Sequence, residues 1–111
     1  MKRATAVALL AFGASMAAGE LRADDPSFRL TIKNHQFDPS ELEVPANTKM
    51  KLVVKNADPT PEEFESHDLR REKVIQGGKE ATIIVGPLSP GRYEFFGEFN
   101  PKTARGYLVV K

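Results

Sequence analysis

Lys49-Met50-Lys51-Leu52-Val53-Val54-Lys55 decides the fold of this chain. Met50, Leu52 and Val54 fall on one side of an extended segment, with Lys49, Lys51 and Lys55 on the other, which is the period-two alternation of a half-buried β-strand. The residues that follow, Asn56-Ala57-Asp58-Pro59-Thr60-Pro61, form a loop, because Pro59 and Pro61 cannot donate to a ladder. On the other side, Pro45-Ala46-Asn47-Thr48 is a turn, and Asn47 stands where a left-handed backbone is wanted, which asparagine tolerates better than most residues.

The same grammar extends outward. Phe28-Arg29-Leu30-Thr31-Ile32-Lys33 alternates, Asn34 and His35 interrupt it, and Phe37-Asp38-Pro39 turns the chain before Leu42 and Val44 resume the alternation. Residues 62–66 make a short strand anchored by Phe64, whereas residues 68–73 fit either a helical turn or an irregular connection. Gln76-Gly77-Gly78-Lys79 is a turn, residues 81–85 form a strand rich in β-branched side chains, and Pro87-Leu88-Ser89-Pro90-Gly91 turns again. Tyr93, Phe95, Gly97 and Phe99 share a face, and residues 107–110 supply a last strand. About seven short strands at regular intervals predict an all-β sandwich or barrel, and a two-sheet sandwich suits a chain of this size.

Residues 1–23 stand apart from this pattern. Lys2 and Arg3 precede an apolar run over residues 4–12, and small residues follow at Gly13, Ala14, Ser15, Ala17 and Ala18, the order of a secretory signal peptide. The run falls short of the ~20 residues that span a bilayer. Cleavage after Ala17, Ala18 or Ala23 is compatible with the sequence, and Ala23 is preferred because the ordered pattern begins at Phe28. The expectation is a signal peptide over 1–23 and one domain over 24–111, located in the periplasm with no stable membrane insertion after cleavage. Removing the leader takes Lys2, Arg3 and Arg22 but only Glu20, so the formal charge moves from +1 to about −1. No concentrated basic face remains, which argues against a nucleic-acid partner. The chain has no cysteine, hence no disulfide, no lipidation thiol and no thiolate ligand.

The framework resembles a cupredoxin, with a Greek-key β-sandwich as the implied fold. The residues that carry the resemblance are Phe37-x-Pro39, Val44-Pro45-Ala46-Asn47-Thr48, Leu52-Val53-Val54-Lys55-Asn56, Pro87-Leu88-x-Pro90-Gly91-x-Tyr93 and Gly106-Tyr107-Leu108-Val109-Val110. More narrowly, Glu63-Phe64-Glu65-Ser66, Arg71-Glu72-Lys73-Val74-Ile75 and Phe95-Phe96-Gly97-Glu98-Phe99 are similar to the EfeO-type cupredoxin-like domains found with bacterial iron-permease systems. Set on the type 1 copper pattern, Glu62 or Glu63 takes the place of the first histidine and Gly97 falls at or next to the cysteine. Asn100 replaces the second histidine, and Ala104 lies near the methionine. Every ligand of that pattern is missing, and without a thiolate a blue-copper electron carrier is excluded.

What remains is an oxygen-rich set drawn from the same two loops: Glu63, Glu65 and Glu98, with His67 close by in sequence. Glutamates two apart on a strand share a face about 6.6 Å apart and can converge on one ion. Carboxylates with one imidazole suit Fe(II), Mn(II), Zn(II) or Cu(II), with copper bound most tightly. A plainer reading stands beside this one: if Phe64 points into the core, alternation sends Glu63 and Glu65 to solvent. On that reading Glu98 is a surface residue, and His67 and His35 belong to ordinary loops. Glu41, Glu43, Glu94 and the Arg70-Arg71-Lys73 cluster read as solvated faces.

The leading functional expectation is a periplasmic protein that binds iron or copper for an iron-uptake system, with an inner-membrane iron permease or another exported uptake subunit as partner. The competing expectation is a non-metal interaction module that docks on such a permease or subunit. A ferroxidase is the third, and it would need a redox partner metal as well as an iron site, whereas the sequence shows at most one ligand cluster.

Overall fold

Alternation over residues 50–56 produces the strand at the centre of one sheet. In the computed structural model, residues 24–111 are described, and the leader expected over 1–23 lies outside them. They form β1 (Ser27–Lys33), β2 (Gln36–Asp38), β3 (Glu41–Val44), β4 (Met50–Asn56), β5 (Glu62–Ser66), β6 (Arg71–Ile75), β7 (Glu80–Val85), β8 (Gly91–Phe96) and β9 (Arg105–Val110). One sheet runs in the order β2-β1-β4-β7 and the other in the order β3-β9-β8-β5-β6. Two pairings are parallel, β1 with β4 and β3 with β9, and the rest are antiparallel. This is the expected Greek-key β-sandwich.

The inward side chains of both sheets form a single core. Leu30 and Ile32 of β1, Met50, Leu52 and Val54 of β4, Ile83 and Val85 of β7, and Leu108 and Val110 of β9 are all buried in it. Three phenylalanines bridge the layers: Phe95 meets Phe37 edge-on at 4.8 Å and stacks on Phe64 at 5.3 Å between ring centroids. Such offset and edge-to-face contacts add to the area that each ring buries.

Nine strands replace the expected seven. β2 is three residues long, too short to display alternation, and its pairing with β1 comes from the Asn34-His35 turn, where φ is 54° and 59°. Both values lie in the left-handed region that a two-residue hairpin demands. β6 occupies the stretch where a helical turn or an irregular connection was expected. Four of its five residues are exposed, so it carries no apolar signal. Its backbone pairs with β5 from Ser66↔Arg71 to Glu62↔Ile75, and it forms a charged sheet edge, where exposed polar side chains discourage further strand pairing. Asn47 has φ 56°, as its turn requires.

Asn56, wholly buried at the end of β4, organises the loop that leads into β5. Its Nδ2 donates to the carbonyls of Thr60 (2.8 Å) and Ile75 (2.9 Å), and its Oδ1 accepts from the Asp58 N–H (2.9 Å). The Asp58 carboxylate in turn accepts the N–H groups of Asn34 (2.7 Å) and His35 (3.0 Å), which ties the β1–β2 turn to the β4–β5 loop.

Candidate metal sites

Successive residues of β5 point to opposite faces of the sheet. Phe64 faces the core, so Glu63 and Glu65 face outward, and β6 places Glu72 directly across from Glu65. Glu98 arrives from the loop after β8, where its N–H donates to Glu63 Oε1 at 2.7 Å. Gly97 allows that approach, because a Cβ there would stand 2.8 Å from the Glu63 carbonyl oxygen and 3.1 Å from Ala104 Cβ. One carboxylate oxygen from each of Glu63, Glu65, Glu72 and Glu98 lies within 4.8 Å of the others.

The plainer sequence reading is corrected at Glu63, and in part at Glu65, whose side chain is 15% exposed. Phe64 does point inward, yet Glu63 is only 2% exposed, because the loop after β8 covers the outer face of β5. Burial pushes the Glu63 pKa above the usual carboxylate range, and the neighbouring Glu65 adds to this, against the Glu98 N–H and a hydrogen bond from Glu72. Like charges directly across a ladder are destabilising, as at Glu65↔Glu72. Glu65 Oε1 is buried with no hydrogen-bond partner.

Of the residues expected at a site, Glu63, Glu65 and Glu98 are thus brought together, and His67 reaches only Glu65. Its side chain is 79% exposed, its Nε2 lies 3.3 Å from Glu65 Oε2, and its ring packs edge-on against Phe96. Glu72 joins the group unforeseen, since its place depends on β6 being a strand. Glu41, Glu43, Glu80 and Glu94 behave as solvated faces: Arg92 pairs with Glu41, Lys111 with Glu43, Arg29 with Glu80 and Arg105 with Glu94, at 2.8–3.1 Å. Among the described residues these cations pair there and not with the four clustered carboxylates.

A second group lies on the other face of β5. Glu62, fully buried, and Asp58, 7% exposed, converge on the half-exposed imidazole of His35. His35 Nδ1 is 2.5 Å from Glu62 Oε2 and 3.6 Å from Asp58 Oδ2. The hydrogen bond to Glu62 holds the His35 pKa above its ordinary value, and the charges of Glu62 and Asp58 add to the effect against a smaller loss from burial. Burial pushes Asp58 up, but the His35 and Asn34 N–H donors and the His35 charge outweigh it, so its pKa lies below the usual carboxylate range. The sequence reading left His35 and Asp58 in loops. The signal available was the Asn34-His35 turn, whose two N–H groups need an acceptor.

These shifts fix the sign of a pH dependence in the metal-free protein. A raised histidine pKa contributes stability that is full below about 6.5, the unfolded value, and is lost as pH rises through the higher folded value. Glu63 acts in the same sense from about 4.3 upward. Subtracting the stability profile of His35→Ala from that of the wild type isolates the histidine. The difference in denaturant midpoint should shrink as pH rises above about 6.5; a constant difference would show that the pair does not carry it.

The arrangement does not fit a type 1 copper centre. There is no thiolate, and the position of the copper cysteine is at or next to Gly97, where any Cβ meets backbone oxygen. Glu62, rather than Glu63, faces the other replaced position, with Asn100 Nδ2 3.2 Å from both Glu62 oxygens. Adding Cu(II) should therefore give no intense sulfur-to-copper absorption, which a visible spectrum would check.

Comparison with known proteins agrees with this fold. The family profile described as "Cupredoxin-like domain" matches residues 3–110. A relative in Rickettsia prowazekii (strain Madrid E), uncharacterized protein RP394, is 51% identical over 82 residues, covering 74% of this chain and 66% of its own length. Among solved structures, the metal-binding domain of the Cu(I)-exporting P-type ATPase CopA from Streptococcus pneumoniae D39 superposes with a TM-score of 0.70 at 18% identity, over 84% of this chain and 92% of that one. Auracyanin A, a blue copper protein from Chloroflexus aurantiacus, gives 0.65 at 14% identity over 77% and 98%. The purple cupredoxin from Nitrosopumilus maritimus gives 0.60 at 19% over 76% and 99%. At these identities the solved structures speak for the fold alone, while the profile spans nearly the whole sequence. The chain belongs to the cupredoxin-like domain family.

Proposed function

We propose that this chain is an exported metal-binding accessory protein of a bacterial iron-uptake system, holding iron or copper as an ion without serving as a blue-copper electron carrier. The observation that carries the proposal is the group formed by Glu63, Glu65, Glu72 and Glu98. Four carboxylates share one space, and a buried oxygen of Glu65 has no partner. Such a group is costly without a cation and suits a metal that accepts oxygen ligands. The copper-binding proteins of the same fold, and the likeness of residues 63–66, 71–75 and 95–99 to EfeO-type domains, support the iron or copper assignment. An inner-membrane iron permease or another exported uptake subunit is the proposed partner, and the periplasm the proposed location.

The test is calorimetric titration of the purified protein with Fe(II) under anaerobic conditions and with Cu(II). The double variant Glu65→Gln/Glu72→Gln should bind at least about tenfold more weakly, since even outer-shell changes at metal sites cost that much. In the absence of metal the same variant should be at least as stable as the wild type, because two opposed charges are removed. Equal binding by both proteins would overturn the assignment. Absence of binding altogether would favour an interaction module that docks on a permease or exported subunit.

A further inference from the structure

We propose that His35, Asp58 and Glu62 hold a second divalent cation, of the borderline class represented by Zn(II) and Cu(II), at a site separate from the four-carboxylate group. Glu62 and Asp58 are buried carboxyl groups that interact with each other and share one basic partner, the His35 imidazole. Two buried acids thus share a single basic group, and a buried charge is costly unless it is paired. The other donor to the Glu62 carboxylate, Asn100 Nδ2, is neutral. A divalent ion balances both acids at once.

The three ligands are already positioned. Asp58 is held by the N–H groups of Asn34 on Oδ1 and His35 on Oδ2, and each oxygen keeps a second lone pair. The left-handed turn at Asn34 and His35 aims the imidazole at Glu62. Nitrogen and oxygen ligands stand about 2.0–2.2 Å from zinc, so the 2.5 Å contact between His35 and Glu62 must open to admit an ion. The imidazole can make that movement, being 48% exposed at the rim of a surface cavity of about 370 Å³ that Phe99, Asn100 and Thr103 also line. The ion replaces the proton held between His35 Nδ1 and Glu62, and that proton leaves to solvent.

Two features distinguish this site from the first. Glu62 and Glu63 are consecutive on β5 and face opposite ways, so the groups share no ligand. One nitrogen among the ligands favours Cu(II) and Zn(II), whereas the all-oxygen group accepts harder ions. His35 and Asp58 also lie outside the positions of the type 1 pattern.

The experiment is a titration of the purified chain with Zn(II), followed by NMR of the two histidine rings and by calorimetry. Zinc should shift the His35 ring resonances, and Glu65→Gln/Glu72→Gln should retain that His35 response while altering any shift of His67, which lies 3.3 Å from Glu65. His35→Gln and Glu62→Gln should each weaken binding at this site by about tenfold or more, with the response of the carboxylate group unchanged. Shifts confined to His67, or equal zinc binding by the wild type and His35→Gln, would overturn the proposal. Loss of the His35 response in the Glu65→Gln/Glu72→Gln protein would overturn the separateness of the two sites. The ring measurement on the wild type decides even where a variant does not fold.

Discussion

Phe95→Ala should lower the unfolding free energy by about 3–5 kcal/mol, the cost of emptying a fully buried aromatic site. Phe95 is wholly enclosed, between Phe37 and Phe64 and against the backbone of Gly106, where a Cβ would stand 2.6 Å from the ring. The neighbours that could collapse into the space belong to both sheets, so the cavity cannot close without moving one layer against the other. Urea unfolding monitored by far-UV circular dichroism measures the loss directly. A change below about 1 kcal/mol would mean that the two sheets relax far more than a close-packed core allows. The damage should reach the metal sites as well, since Phe64 sits on β5 between Glu63 and Glu65 and stacks on the deleted ring.

Asn56→Ala should cost about 3 kcal/mol, because it strands two buried backbone groups and a third part-buried one at about 1–3 kcal/mol each, part of which water can restore. The orphaned groups are the carbonyls of Thr60 and Ile75 and the N–H of Asp58. Asn56→Asp should be nearly as damaging despite its matching shape, since it turns a double donor toward two carbonyl oxygens into an acceptor. Thermal and chemical unfolding of both variants would check this. If Asn56→Asp retains wild-type stability, the side chain does not donate as described. The same substitution should reduce, without erasing, the pH difference attributed to His35, because Asp58 would lose its fixed position beneath the β1–β2 turn while the hydrogen bond to Glu62 remains.

The sandwich could be read from residues because its central strands are half-buried. Met50, Leu52 and Val54 alternate with lysines, and all three are in the core. β6 escaped notice because an edge strand with exposed charges is held by backbone pairing alone, which leaves no period in the side chains. That omission also hid Glu72, whose proximity to Glu65 is a matter of register. Glu63, Glu65 and Glu98 could be named as candidates from the two segments that carry ligands in the cupredoxin pattern, but nothing in the sequence showed that these segments meet. The burial of Glu63 was not legible, since it depends on Gly97 letting the loop lie against β5. His35 and Asp58 are 23 residues apart and meet through backbone hydrogen bonds to a side chain, an interaction without a sequence period.

The place of β9 between β3 and β8 has a consequence for the order of assembly. β3 cannot join its sheet until β9 exists, and their pairing links Glu41 to Tyr107 across most of the domain. β8 likewise keeps one margin unpaired until β9 is in place. Contacts so distant along the chain place such β topologies toward the slow end of two-state folding, about milliseconds to seconds. Until then β3 and β8 present facing open edges to any passing strand, and the six residues of β9 act as the clasp that fills the gap between them.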